Sequence, residues 1–274
     1  MKKENSKKKR VIKIIAGIVL GLAAVELCAI GYLGGLGPLG FLRTMAQGKT
    51  PGNKAAYSFD SISALPESPL KGKTVCVLGS SVVYGHASQK VAVGEYVEKR
   101  FDCKLIKEAV SGTTLVDQND KSYVHRLVTK LDPNEEIDLF ICQLSTNDAS
   151  QGKPLGEIVD SEDLGDFDTS TVTGALQYII CYARQTWDCP VVFFTGSRYD
   201  SEAYGAMVQR LLELKELYSI GVLDLWTDDG FNSIPDEQRS LYMADDIHPT
   251  KAGYRDWWGP ELEAQLLAFL SETE

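Results

Sequence analysis

The chain has 274 residues, with 28 Lys and Arg against 38 Asp and Glu, for a net charge of −10. That length is ample for a domain with a full hydrophobic core. The acidic balance argues against nucleic acid as a partner, because a phosphate backbone is held through clustered cations.

The charges are unevenly placed. Residues 1–10 carry six basic side chains, Lys2, Lys3, Lys7, Lys8, Lys9 and Arg10, and one acid. Residues 11–32 then run VIKIIAGIVLGLAAVELCAIGY, with Lys13 and Glu26 as their only charges. About 20 apolar residues at ~1.5 Å each span the hydrocarbon of a bilayer. The run is long for the apolar part of a signal peptide and lacks a good cleavage site. Glu26 and Leu27 stand where a lipoprotein signal needs small residues before Cys28. The expectation is a cytoplasmic basic tail at 1–10, a transmembrane signal anchor at 11–33 and an extracytoplasmic remainder, by the positive-inside rule. A cleaved signal peptide that releases a secreted domain is the alternative. With the seven basic and two acidic residues of 1–33 set aside, 21 basic and 36 acidic residues remain, a net −15.

Residues 34–69 are expected to form an extracytoplasmic linker, with wrapping of the domain by residues 54–70 as the alternative for its second part. Their first part, to residue 53, is rich in Gly, contains Pro38 and Pro51 and carries few charges, the composition of a flexible tether. From residue 70 to 274, short apolar runs alternate with longer amphipathic ones. Strands are expected at Thr74–Leu78, Leu105–Val110, Asp138–Leu144, Val191–Thr195 and Val222–Trp226. Helices are expected near 88–101, 119–131, 171–187 and 201–219, with a last one from Pro249 to about Leu270. Alternating strands and helices imply βαβ units and a parallel sheet. The strand runs are apolar on both faces, as a sheet covered on each side requires. Cys76 and Cys142 fall inside strand runs as small core residues. A disulfide among Cys103, Cys181 and Cys189 stays open. No CxxC or His-rich spacing suggests zinc.

Ligands of such sheets bind beyond the carboxyl ends of the strands, so the segment after each strand is where chemistry is sought. Gly79-Ser80-Ser81 follows the first and marks a tight strand-to-helix turn that can expose a hydroxyl. Ser111-Gly112 follows the second, where a glycine N–H can face a substrate unobstructed. Ser145-Thr146-Asn147-Asp148 follows the third, and an Asn amide can donate to a developing oxyanion. Asp245-Asp246-Ile247-His248-Pro249 lies beyond the fifth and offers a carboxylate three residues before an imidazole, in a chain with three histidines. Each is an ordinary turn taken singly. Together they supply a nucleophile, two oxyanion donors and a general base with its carboxylate on one sheet edge.

These four blocks, in this order, resemble the SGNH hydrolase (GDSL-type esterase and lipase) superfamily over roughly residues 70–270. Gly253 and Tyr254 in HPTKAGY also fit. The resemblance maps the nucleophile to Ser81, the base to His248 and its carboxylate to Asp245, with Ser81, Gly112 and Asn147 as oxyanion donors. It implies a three-layer α/β/α, flavodoxin-like domain with five parallel strands and no metal or organic cofactor. Ser80 stands where the family usually has Asp, and Ser145 where it usually has Gly. The implied activity is hydrolysis of a carboxylic ester through an acyl-enzyme. The acids of the 149–170 loop, Glu157, Asp160, Glu162, Asp163, Asp166 and Asp168, make no lipid-binding face, which points to a short acyl group such as acetyl on a carbohydrate. The alternatives are an O-acyltransferase acting on cell-envelope glycans with the same residues, and a non-catalytic binding module on the same fold. His86 and His125 lack a carboxylate at the spacing seen before His248. Oligomeric state is not legible.

Overall fold

The structure is a computed structural model that describes residues 2–29 and 45–273. The chain divides after Pro51 into two compact units. In the first, α1 (Lys2–Ala29) is one unbroken helix, and Ile14, Ile18, Leu20, Leu22 and Val25 along it are exposed. Among the described residues no helix is long and apolar enough to cross a membrane. Lys13 and Glu26 bracket twelve uncharged residues, about 18 Å of helix against a hydrocarbon core of ~30 Å. Residues 30–33 of the expected span and 34–44 of the expected linker lie outside the described residues.

In the second unit, Gly52–Glu274, the five expected strands form. They are β1 (Thr74–Gly79), β2 (Lys104–Ala109), β3 (Leu139–Gln143), β4 (Val191–Phe194) and β5 (Gly221–Leu223). All pair in parallel, in the order β2-β1-β3-β4-β5. This is the flavodoxin-like order, whose direction reverses beside β1.

The side chains of each strand alternate between two cores. Cys76, Leu78, Phe140, Cys142, Val191 and Phe193 point to one, with α4 (Tyr123–Lys130), α6 (Val172–Trp187) and α7 (Glu202–Tyr218). Val75, Val77, Leu139, Ile141, Val192 and Phe194 point to the other, with α3 (Val93–Phe101) and α10 (Gly259–Thr273). Burial on both faces explains why β1, β3 and β4 are almost wholly apolar, whereas the edge strand β2 carries Lys104, Lys107 and Glu108. Three short helices lie between these elements: α2 (Ser81–Tyr84), α5 (Thr146–Ser150) and α8 (Asp229–Asn232). One more, α9 (Asp236–Tyr242), precedes the Asp-x-x-His segment. The chain then turns through Lys251–Gly253 and a π-helical Tyr254–Trp258 into α10.

Residues 52–69, read from sequence as linker, pack on the sheet domain. Phe59 is buried edge-to-face on Tyr96 at 6.3 Å. The Leu65 N–H donates to the Arg100 carbonyl at 2.8 Å. All six cysteines are free thiols.

Candidate active site

The carboxyl end of β1 cannot take a side chain larger than hydrogen at Gly79. A Cβ there would lie 2.2 Å from Val83 Cγ2 and 2.9 Å from Gln143 Oε1. The chain therefore turns from strand into α2 with no intervening loop, and Ser81 becomes its first residue. Gln143 ends β3, the strand beside β1. Its buried Oε1 accepts from Ser80 N at 2.9 Å and Val83 N at 3.4 Å. One side-chain amide thus satisfies two N–H groups of the helix start, which lack intrahelical partners. Sequence reasoning did not single out Gln143. Its signal was a polar residue at the end of a strand otherwise apolar on both faces.

Ser81 Oγ lies 2.8 Å from His248 Nε2. On the other side of the ring, His248 Nδ1 lies 2.9 and 2.8 Å from the two oxygens of Asp245. A carboxylate only accepts, so the Nδ1 proton points to Asp245 and Nε2 is left to accept from the Ser81 hydroxyl. Asp245 also accepts from Ile247 N at 2.9 Å and His248 N at 2.8 Å. Burial pushes its carboxyl up, but the bond and charge of His248 and these two N–H groups outweigh burial and bring its pKa to about 2. Asp245, not Asp246, faces the imidazole. Two backbone bonds close the loop behind the histidine, Ala244 N to His248 O at 2.9 Å and Thr250 N to Tyr242 O at 2.8 Å.

The other expected oxyanion donors follow β2 and β3, the two strands that flank β1. Asn147 begins the turn into α5, with its N–H on Ser145 Oγ at 3.2 Å. Its Nδ2 donates to Thr113 O at 3.0 Å and to Ser80 Oγ at 3.2 Å. An amide has two protons to give, so both are engaged in the free site. Gly112 has φ of +81°, with open space where a Cβ would stand. The Ser111 hydroxyl beside it lies 3.3 Å from His86 Nδ1. The His86 ring in turn lies 5.0 Å from that of His248. His125 is on α4.

Two buried charges brace the loops that carry these groups, and neither was singled out from sequence. Arg126 on α4 is 2 % exposed. Its Nη2 donates to Gly79 O at 2.9 Å and Thr113 Oγ1 at 3.2 Å, its Nε to Lys121 O at 2.8 Å and its Nη1 to Glu108 at 3.0 Å. The guanidinium thus joins the residue two before Ser81 to the one after Gly112. Asp148, fully buried, accepts from Leu115 N at 2.8 Å and Val116 N at 3.1 Å. Burial raises its carboxyl pKa against the pull of those N–H groups. Among the described residues, no group of three or more His, Cys, Asp or Glu is placed to hold a metal ion.

The arrangement is a hydroxyl whose proton an oriented imidazole can take, beside amide donors for a developing negative charge. The chemistry such an arrangement can perform is acyl transfer. The sequence model of the GDSL-like Lipase/Acylhydrolase family matches residues 77–255. Among solved structures, a protein from Lactobacillus plantarum superposes with a TM-score of 0.60 at 20% identity, over 72% of this chain and 98% of that one. A family two carbohydrate esterase from Cellvibrio japonicus superposes with a TM-score of 0.52 at 18% identity, over 77% of this chain and 65% of that one. A possible lipase from Chitinophaga pinensis gives 0.52 at 17% identity, over 72% and 99%. Identities this low show a shared fold. No curated protein matches the chain in sequence.

Proposed function

The chain belongs to the GDSL-like lipase/acylhydrolase family, whose members hydrolyse esters, and on that premise we propose that it is a serine esterase with Ser81, His248 and Asp245 as its catalytic triad. The observation that carries the reading is the continuous line from Ser81 Oγ through both imidazole nitrogens to Asp245, with contacts of 2.8, 2.9 and 2.8 Å. His248 Nε2 takes the hydroxyl proton as Ser81 Oγ attacks the ester carbonyl. Asp245 keeps the ring in the required tautomer and stabilises its positive charge. The oxyanion takes the Ser81 N–H, the Gly112 N–H and the Asn147 amide, which exchanges Ser80 Oγ for it. Protonated His248 then gives its proton to the leaving alcohol. Water, deprotonated by the same nitrogen, cleaves the acyl-enzyme.

The substrate class is a short acyl ester, such as acetyl, on a carbohydrate. The segment after α5 carries exposed acids at Glu157, Asp160, Glu162, Asp163 and Asp166, which suit neither a lipid interface nor an acyl-chain lid. The Cellvibrio carbohydrate esterase has the same fold. Attachment to the cell membrane through residues 11–33, with the sheet domain outside, is part of the proposal. It rests on the basic tail and the exposed apolar side chains of α1. It requires Lys13 and Glu26 to reach the bilayer interfaces.

The test is Ser81→Ala, which should abolish both turnover of a p-nitrophenyl ester and labelling by a fluorophosphonate. Retained turnover in that variant overturns the triad. Rates on C2, C4, C8 and C12 esters address acyl length, and faster turnover of C12 than C2 refutes the short-acyl reading. Acyl groups recovered on glycan rather than as free acid would make the enzyme a transferase. Recovery of the full-length chain in the soluble fraction refutes the anchor.

A further inference from the structure

The proposed nucleophile and base come from segments 167 residues apart, yet their contact must hold to a fraction of an ångström. Few bonds in the structure tie those segments directly. One is Tyr254 OH to Val82 O at 2.7 Å. Another comes from outside the region matched to the family, which begins at residue 77. Asn53 is 4 % exposed. Its Nδ2 donates to Ala87 O at 2.7 Å, and its Oδ1 accepts from Lys251 N at 2.9 Å.

Both partners stand close to the chemistry. Ala87 is in the turn that closes α2, where the His86 N–H donates back to Ser81 O at 2.9 Å. Lys251 follows His248 by three residues, and the Thr250 between them is fully buried. Gly52 lets the start of the 52–69 segment lie flat on this loop. A Cβ on Gly52 would stand 2.1 Å from Leu241 O and 2.2 Å from Thr250 Oγ1. The bridge uses one donor and one acceptor of a single carboxamide. A carboxamide holds an N–H donor and a carbonyl acceptor on neighbouring atoms of one neutral group, and of the two residues that carry it Asn has the shorter reach.

We propose that Asn53 is a positioning residue for the reaction, its carboxamide locking the segment of Ser81 to the segment of His248 so that hydroxyl and imidazole stay within transfer distance. The proposal rests on the triad reading above. Asn53→Asp keeps the shape and the acceptor for Lys251 N, but turns a carboxylate oxygen on Ala87 O and breaks that half of the bridge. Asn53→Ala removes both halves.

The experiment titrates active sites of the full-length chain, in mild detergent, with a fluorophosphonate, and expresses ester turnover per titrated site. A role in stability alone lowers the number of sites and leaves turnover per site unchanged. A positioning role lowers kcat per site by about ten- to a hundredfold, the effect of a misplacement near 1 Å, with KM within about threefold. Wild-type kcat per site in both variants overturns the inference. So does loss of the folded protein in both, read from their circular dichroism, which makes the bridge a folding requirement. A wild-type protein that titrates no sites brings down the triad reading itself, and the inference with it.

Discussion

Arg126 offers the sharpest test of how the site is braced. Replacing it with Met keeps most of its bulk and deletes four donor bonds, to Gly79 O, Thr113 Oγ1, Lys121 O and Glu108. The acceptors fare differently. Gly79 O keeps a weaker bond from Val110 N at 3.3 Å, and Thr113 Oγ1 still donates to Val110 O at 2.7 Å. The Glu108 side chain is 25% exposed and can turn to water. Hydrogen bonds to a charged group contribute about 1.5–3 kcal/mol each. With the bond to Lys121 O lost outright and the other three acceptors keeping or finding partners, the net cost is about 3–5 kcal/mol, the range for breaking a buried ion pair. For a domain of this size each kcal/mol shifts Tm by about 2–4 °C. Differential scanning calorimetry of Arg126→Met should show a drop of about 6–20 °C. Arg126→Lys keeps the charge but loses the fork, and should fall between the two. A shift under about 3 °C in Arg126→Met would show that the loops stand without the guanidinium and would refute the reasoning.

Three further outcomes follow from the site. Asn147→Ala should lower kcat by about 10²–10³-fold, near 2.7–4 kcal/mol, with KM little changed; a KM-only effect would remove Asn147 from the oxyanion hole. Asp245 stays ionised down to about pH 2, so its stabilising contribution is whole above the ordinary 3.8 and fades only as pH falls toward 2. Activity lost on acidification above about pH 4 must therefore come from another group; a limb near that pH that vanishes in Asp245→Asn would contradict this. That variant should itself lose up to about 10⁴-fold in kcat. With all six cysteines free, thiol titration of unfolded, unreduced protein should count six, and a count of four would reveal a disulfide.

What the sequence by itself determined was everything written in local pattern. Strand runs apolar on both faces, separated by amphipathic helices, dictated a covered parallel sheet, because each element must bury its own apolar face. Small residues after three strands marked where the chain could present a hydroxyl, a bare N–H and an amide, while the imidazole lies beyond β5 and α9. The Asp245–His248 spacing dictated a carboxylate beside a ring, since three residues of loop bring the two together. The start of the folded domain was not legible. Residues 52–69 look polar and unpatterned, and they join the domain through a few contacts such as Phe59 on Tyr96 and Asn53 on Ala87 and Lys251. Nor were the braces. Gln143, Arg126 and Asp148 act on backbone groups of segments far along the chain, and no local periodicity marks a polar side chain whose partners are carbonyls and amides elsewhere. The 2.8 Å approach of His248 to Ser81 is of the same kind. Only the tertiary structure decides it, because a distance between two remote segments is set by the packing of everything that lies between them.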